Sequence, residues 1–261
     1  MRKLKLSFIL SIVILIVIIY VAFIALDVMS LIDKINGKAV QSKQLHTISE
    51  IIKFFITSFC VLLVLGSVGD NLSKMDFLLM KIAFGFTFLA DFYLVVLQFM
   101  PGGNDTPDMF FTIGAGFFIF AQVIFIFRHT QMLKNYSNRF RKIFYIVIIA
   151  GIFIYHGSLA LYYLGIKIQT VIAPAIYALY LFTSVGFAWH TRKSNFFPEK
   201  NQALIIVGMT LFLCCDLSIA VAKLFSFWGI MIWVFYAPAI TLLAISTYDW
   251  HKTKVQVPKA A

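Results

Sequence analysis

Charge is the scarcest property of this 261-residue chain: 13% of its residues are Asp, Glu, Lys or Arg. An ordinary water-soluble domain needs about a quarter to cover its surface. Acid is scarcer still, with 11 Asp and Glu against 22 Lys and Arg. Only three cysteines occur, Cys60, Cys214 and Cys215, each inside an apolar run. They form neither a disulfide framework nor a CxxC metal site, and they read as small packing residues. Long polar segments are missing as well, which leaves no room for a separate soluble domain. What is abundant is apolar: 61% of residues are hydrophobic and 17% aromatic. That composition excludes disorder and makes lipid the main solvent. The net charge of +11 is spread between apolar runs rather than along a polar, aromatic-bearing surface. It therefore points to lipid headgroups and the positive-inside rule, with no nucleic-acid partner.

Apolar runs of about 20 residues suit a helix that crosses the bilayer. Eight occur: 6–26, 47–69, 77–98, 110–127, 142–164, 168–189, 202–223 and 228–248. Backbone polar groups in hydrocarbon must be satisfied internally, and no period-2 alternation suggests a barrel. The expectation is one all-α domain over residues 1–261, a bundle of eight transmembrane helices. The first run resembles a signal peptide with Arg2, Lys3 and Lys5 ahead of it, but it is too long and no small-x-small site follows. It is read as the first span, and the connections Asp27–His46 and Arg128–Arg141 as the longest loops.

Sixteen of the Lys and Arg residues fall on the side of the termini and five on the other. That asymmetry places both termini in the cytoplasm, in a bacterial inner membrane or its equivalent. Tyr20, Tyr162, Tyr163 and Trp228 then fall at the outer interface, and Trp189, Tyr248 and Trp250 at the inner one. The segment Pro101–Asp108 (PGGNDTPD) carries no positive charge and is placed outside.

Ionisable groups within a span are costly and mark a site by default. Lys53, Asp91 and Asp216 stand out. At about 1.5 Å of rise per residue, all three lie roughly 9 Å below the outer edge of a ~30 Å core. His156 falls at a similar depth, Tyr177 and Tyr236 slightly deeper, and Gln122 nearer the middle. Two carboxylates and a Lys at one level suggest a shared site. The bland alternatives are a structural clasp for each Asp, a packing role for each Tyr and a core histidine for His156. Lys81 and Lys223, near span ends, are expected to snorkel. His46, His129, His190 and His251 lie near span ends or in loops, so neither a zinc site nor any other cofactor is expected. The stretches Gly85–Asp91 and Gly208–Asp216 both run Gly-x-Thr, apolar residues, a small residue and Asp. That similarity is compatible with a 4+4 internal repeat.

In this order of features, from Lys53 to Ser246, the chain resembles the YhhN family, the TMEM86-type lysoplasmalogenases. The resemblance rests on Lys53, Ala90–Asp91, Ala121–Phe125, Tyr177, Cys215–Asp216 and Tyr236. The family's Ala-His-x-x-Tyr motif is here Ala121-Gln122-Val123-Ile124-Phe125, so Gln122 replaces a proton-exchanging His, and His156 is the candidate substitute. The resemblance implies hydrolysis of the vinyl ether of a lysoplasmalogen, a membrane lipid with one chain, to a fatty aldehyde and a glycerophospho-headgroup. It needs no cofactor. Protonation of the outer alkene carbon gives an oxocarbenium ion that water traps. Two nearby carboxyl groups in low dielectric resist double ionisation, which suits Asp91 and Asp216 as an acid and its anionic partner. Lys53, Gln122, His156, Tyr177 and Tyr236 would bind substrate or tune the pair. A lipid-binding or lipid-transport protein on the same scaffold is the competing expectation.

Overall fold

In a computed structural model, residues 2–97, 107–130, 169–193, 197–222 and 229–250 are described, with isolated positions between 142 and 154. The described residues form seven α-helices and no strand. These are α1 (Arg2–Ile35), α2 (Ala39–Gly66), α3 (Lys74–Asp91), α4 (Pro107–His129), α5 (Gln169–His190), α6 (Glu199–Ala222) and α7 (Gly229–Ile245). A π-helical turn, Phe92–Val96, continues α3. Helices α5, α6 and α7 are the sixth, seventh and eighth runs of the sequence. Most of the fifth run, with His156, lies outside the described residues.

Four segments are long and apolar enough to cross a membrane: Leu6–Ile35, Ala39–Gly66, Lys74–Val96 and Glu199–Ile219. Ile113–His129 and Gly229–Ile245 are shorter apolar helices. On α1, Leu10, Ile14, Val17, Ile18 and Val21 are exposed. Apolar surface of that extent belongs against lipid. The protein is a membrane protein.

Two expected boundaries move. The loop expected over Asp27–His46 is almost wholly helical, because α1 runs on to Ile35 and α2 starts at Ala39. Contacts between the two helices stabilise the extension, and Lys38 pairs with Asp33 at 3.7 Å within it. Lys53 pairs with Asp27 and Glu50, and the Ser30 hydroxyl donates to the Ser42 carbonyl at 2.9 Å. Only the turn at Gly37, with φ of 75°, separates the helices, a conformation that glycine adopts without strain. The third run, expected to Gln98, leaves α-geometry after Asp91.

Helices pack on their chain neighbours, and α7 closes onto α2. The buried stripe of α2 advances by three or four residues through Ser49, Lys53, Ile56, Cys60 and Leu63, with Glu50 and Thr57 beside it. That period puts its polar members on the inward face. Helix α3 does the same with Asp76, Met80, Ala83, Thr87 and Asp91. Helix α7 is the central staff, burying Trp233, Tyr236, Ile240 and Leu243. Pro238 interrupts it. Proline has no N–H for the carbonyl four residues earlier, that of Val234, and the Tyr20 hydroxyl donates to this carbonyl at 3.1 Å. Tyr20, expected in an interfacial belt, thus serves the inside of the bundle.

At the end opposite Gly37, Arg128 is wholly buried. Its Nε donates to Asp76 Oδ1 at 2.7 Å, and its Nη atoms reach Asp76 Oδ2, Ser246 Oγ and the Ser246 carbonyl. Asn201 Nδ2 donates to the carbonyls of Ser246 and Tyr248. The Tyr248 phenol donates to the Leu63 carbonyl at 2.6 Å. Burial pushes this phenol above its ordinary range, so it stays a donor. These bonds fasten α2, α3, α4, α6 and α7 at one level.

Candidate active site in the bundle interior

Asp91 is 2% exposed and ends α3 at the junction with the π turn. Such turns bend a helix locally and recur at functional sites. Its Oδ2 accepts two hydroxyls, Thr57 Oγ1 at 2.5 Å and Tyr236 at 2.7 Å. Three helices, α2, α3 and α7, therefore meet at one carboxylate oxygen. Asp216 lies in unbroken α6, and its Oδ2 accepts the Tyr177 hydroxyl of α5 at 2.7 Å. Cys215, buried, lies within Coulombic reach of both aspartates. Aromatic rings form the floor: Phe118 packs edge-on against Phe212 and Tyr236, each at 6.0 Å between centroids.

Lys53 does not touch either aspartate in this arrangement. Its ammonium lies 2.6 Å from Glu50 Oε1 and 2.8 Å from Asp27 Oδ2. The faces of Phe23 and Trp233 lie 5.5 and 5.7 Å from it. Trp233 in turn packs on Tyr236 at 5.0 Å. The Lys53 group is thus a charged network one helical turn from the Asp91 centre, and its Glu50 lies within Coulombic reach of Asp91. Asp27, His46 and Glu50 offer ligand atoms within 4.8 Å of one another. The Lys53 ammonium is the cation held by these carboxylates.

Gln122 is wholly buried on α4, and neither its amide oxygen nor its nitrogen has a hydrogen-bond partner among the described residues. It lies one turn from Phe118, toward the Arg128 end. His156 lies outside the described residues, so its place beside these groups is not among the contacts.

Three participants escaped the sequence reading. Thr57 follows Lys53 by four residues on the same stripe, a spacing that could have flagged it. Glu50 lies three residues before Lys53 inside the second run, the ordinary spacing of a helical ion pair. Arg128 was counted as a loop cation, and its pairing with Asp76 across 52 residues has no local signal.

The YhhN family model matches residues 50–247. This segment begins at Glu50 and takes in Thr57, both aspartates and both tyrosines.

The chain belongs to the YhhN family.

The match leaves out all of α1, including Tyr20 and Asp27, which the structure nonetheless ties to the matched segment. No curated protein and no solved structure matches the chain. Within the YhhN segment, the buried polar side chains include the aspartate–tyrosine pairs, the ion network of Glu50 and Lys53 and the Arg128–Asp76 cluster.

Proposed function

We propose that this YhhN protein is an intramembrane hydrolase that cleaves the vinyl ether bond of lysoplasmalogens. The observation that carries the reading is two aspartates in the bundle, Asp91 buried and Asp216 half-buried, each accepting a tyrosine hydroxyl. Fold kinship alone would not specify chemistry; the paired carboxyl groups supply the specific part.

Asp91, accepting two hydroxyls on one oxygen, suits the anionic role. Asp216, with one, suits the proton donor. Asp216 gives its proton to the outer alkene carbon, and the ether oxygen shares the resulting positive charge. Asp91 stabilises that oxocarbenium ion and takes a proton from the attacking water. As the hemiacetal collapses, Asp91 gives its proton to the departing glycerol oxygen and Asp216 takes the hemiacetal hydroxyl proton, which yields a fatty aldehyde and a free glycerol hydroxyl, resets both groups and consumes one water in all. This division of roles follows the logic of paired carboxyl groups in glycosidases. Lys53, engaged by two carboxylates, acts through the ion network beside Trp233 rather than as a free phosphate ligand. The proposal includes eight spans, both termini in the cytoplasm, and the aspartates in the outer half of the membrane. The short likeness of Gly85–Asp91 to Gly208–Asp216 supports a 4+4 duplication.

Gln122 bears on the competing reading, a lipid-binding or transport protein, because an amide cannot exchange protons near neutral pH. One experiment separates the two. Purified protein in detergent is given lysoplasmenyl-ethanolamine or -choline, and aldehyde release is followed beside Asp91→Asn. Turnover lost in the variant supports hydrolysis. Lipid retained without aldehyde by folded protein supports the binding reading and removes the hydrolase.

A further inference from the structure

Toward their Gly37 ends, α1 and α2 bring Asp27, His46 and Glu50 together, with one ligand atom of each within 4.8 Å of the others. We propose that these three side chains bind one divalent transition-metal ion of the zinc class, as a second cation beside Lys53. The proposal requires neither the hydrolase reading nor the membrane topology.

Four observations support it. First, Lys53 does not exhaust the carboxylates. It lies 2.8 Å from Asp27 Oδ2 and 2.6 Å from Glu50 Oε1, while the other Asp27 oxygen, Oδ1, is buried with no hydrogen-bond partner among the described residues. Asp27 is only 7% exposed. A buried carboxylate oxygen left without a partner is costly and calls for a water or an ion. Second, two carboxylates and one ammonium leave one negative charge to attract a further cation. Third, His46 and Glu50 are four residues apart on α2, the spacing that puts two ligands on one helix face. His46 Nδ1 already lies 3.8 Å from Glu50 Oε1. Ligands of a single zinc ion, each at about 2.0–2.2 Å from it, lie no more than about 4 Å apart. Rotation of the exposed His46 ring is enough to bring all three into that range, and its exposure gives the ion an entry path. Fourth, the donor set is selective. An imidazole with two carboxylates suits zinc and its transition-metal neighbours, whereas magnesium and calcium are held by oxygen alone.

The site exists because α1 and α2 continue past the ends of their apolar runs. His46, expected near a span end, thereby comes to lie in α2 beside Asp27 of α1. A bound ion would fasten α1, which lies outside the family segment, to Glu50 at the first position of that segment.

The full chain in mild detergent, stripped with EDTA, is titrated with ZnCl₂ by calorimetry, and the loaded protein is read by zinc X-ray absorption. One Zn²⁺ per chain is expected, with nitrogen and oxygen neighbours at about 2.0–2.2 Å and an imidazole signature. MgCl₂ should not compete. His46→Ala, at an exposed position, should weaken zinc binding at least about tenfold. Asp27→Asn, which keeps an oxygen for Lys53, should weaken it as well. Absence of zinc binding, equal competition by Mg²⁺, or an affinity unchanged in either variant would overturn the proposal. So would a sulfur neighbour at about 2.3 Å, which would assign the ion to Cys214 or Cys215. The absorption spectrum of the unaltered chain decides the matter even if a variant does not fold.

Discussion

Asp91 and Asp216 look equivalent in the sequence, and the structure gives them different surroundings. Asp91 closes an α-helix where the backbone passes into a π turn, and hydroxyls from two other helices converge on one of its oxygens. Asp216 lies in regular helix beside half-buried Tyr177, whose hydroxyl it accepts. Even the glycines that precede them diverge. A Cβ on Gly85 would meet nothing within 4 Å, whereas one on Gly208 would press on α7. A shared local pattern has thus been placed in one tightly determined site and one looser site. Under the proposed hydrolysis, the two carboxyl groups would take different tasks through their surroundings rather than through their own chemistry.

The largest expected effects come from erasing the pair. Asp91→Asn and Asp216→Asn should each lower aldehyde release by at least about 10²–10⁴-fold, the usual contribution of a positioned acid or base. Circular dichroism and gel filtration should remain those of the parent. Full activity in either variant would remove its acid or base role.

Next come the donors, which sharpen the asymmetry. Tyr177→Phe removes the hydroxyl that Asp216 accepts and should cost roughly ten- to a hundredfold in kcat, because that hydrogen bond stabilises the carboxylate left when the proton departs. Thr57→Val and Tyr236→Phe each leave Asp91 with its other donor, so each should cost less than the double variant predicts by simple addition. A double-mutant cycle on kcat measures that coupling. Additive effects would mean that the two hydroxyls do not act on one carboxylate.

Stability separates the active interior from its fastening. Arg128→Met leaves Asp76 buried without its partner and should destabilise by about 3–5 kcal/mol, read as a fall in melting temperature in detergent. Activity per folded molecule should stay near that of the parent. The smallest expected effect is a gain: Gln122→Leu removes two buried polar atoms that lack partners and should stabilise by about 1 kcal/mol or more. A loss of stability would show that the amide is satisfied by bound water.

Much of this was legible in the sequence, for reasons that explain the rest. Span length is dictated by the bilayer, so the apolar runs announced the helices. The first run, however, stops at Asp27, and α1 does not. Lys53 of α2 pairs with Asp27 of α1 as well as with Glu50, which no single run reveals. The same is true of Asp91. Its position in an apolar run marked it, but its partners Thr57 and Tyr236 lie 34 and 145 residues away. The π turn has no local signature in Phe92–Val96, an ordinary apolar stretch. Gln122 was visible as a departure from the family motif, while its lack of partners is a property of packing alone.

The hydroxyl of Tyr20 on the Val234 carbonyl spans 214 residues. It carries a consequence for biosynthesis. Helices enter the membrane in chain order, so α1 waits through nearly the whole of translation for the proline-interrupted helix that receives it. Tyr236, two residues beyond that carbonyl, arrives in the same step, so Asp91 gains its tyrosine only when the last described helix is inserted. A ribosome-stalled chain ending before α7 would hold both aspartates and yet lack the assembled centre. Insertion of that helix is then the step that completes the hydrogen bonds on Asp91, and shorter nascent chains leave it with the Thr57 hydroxyl alone.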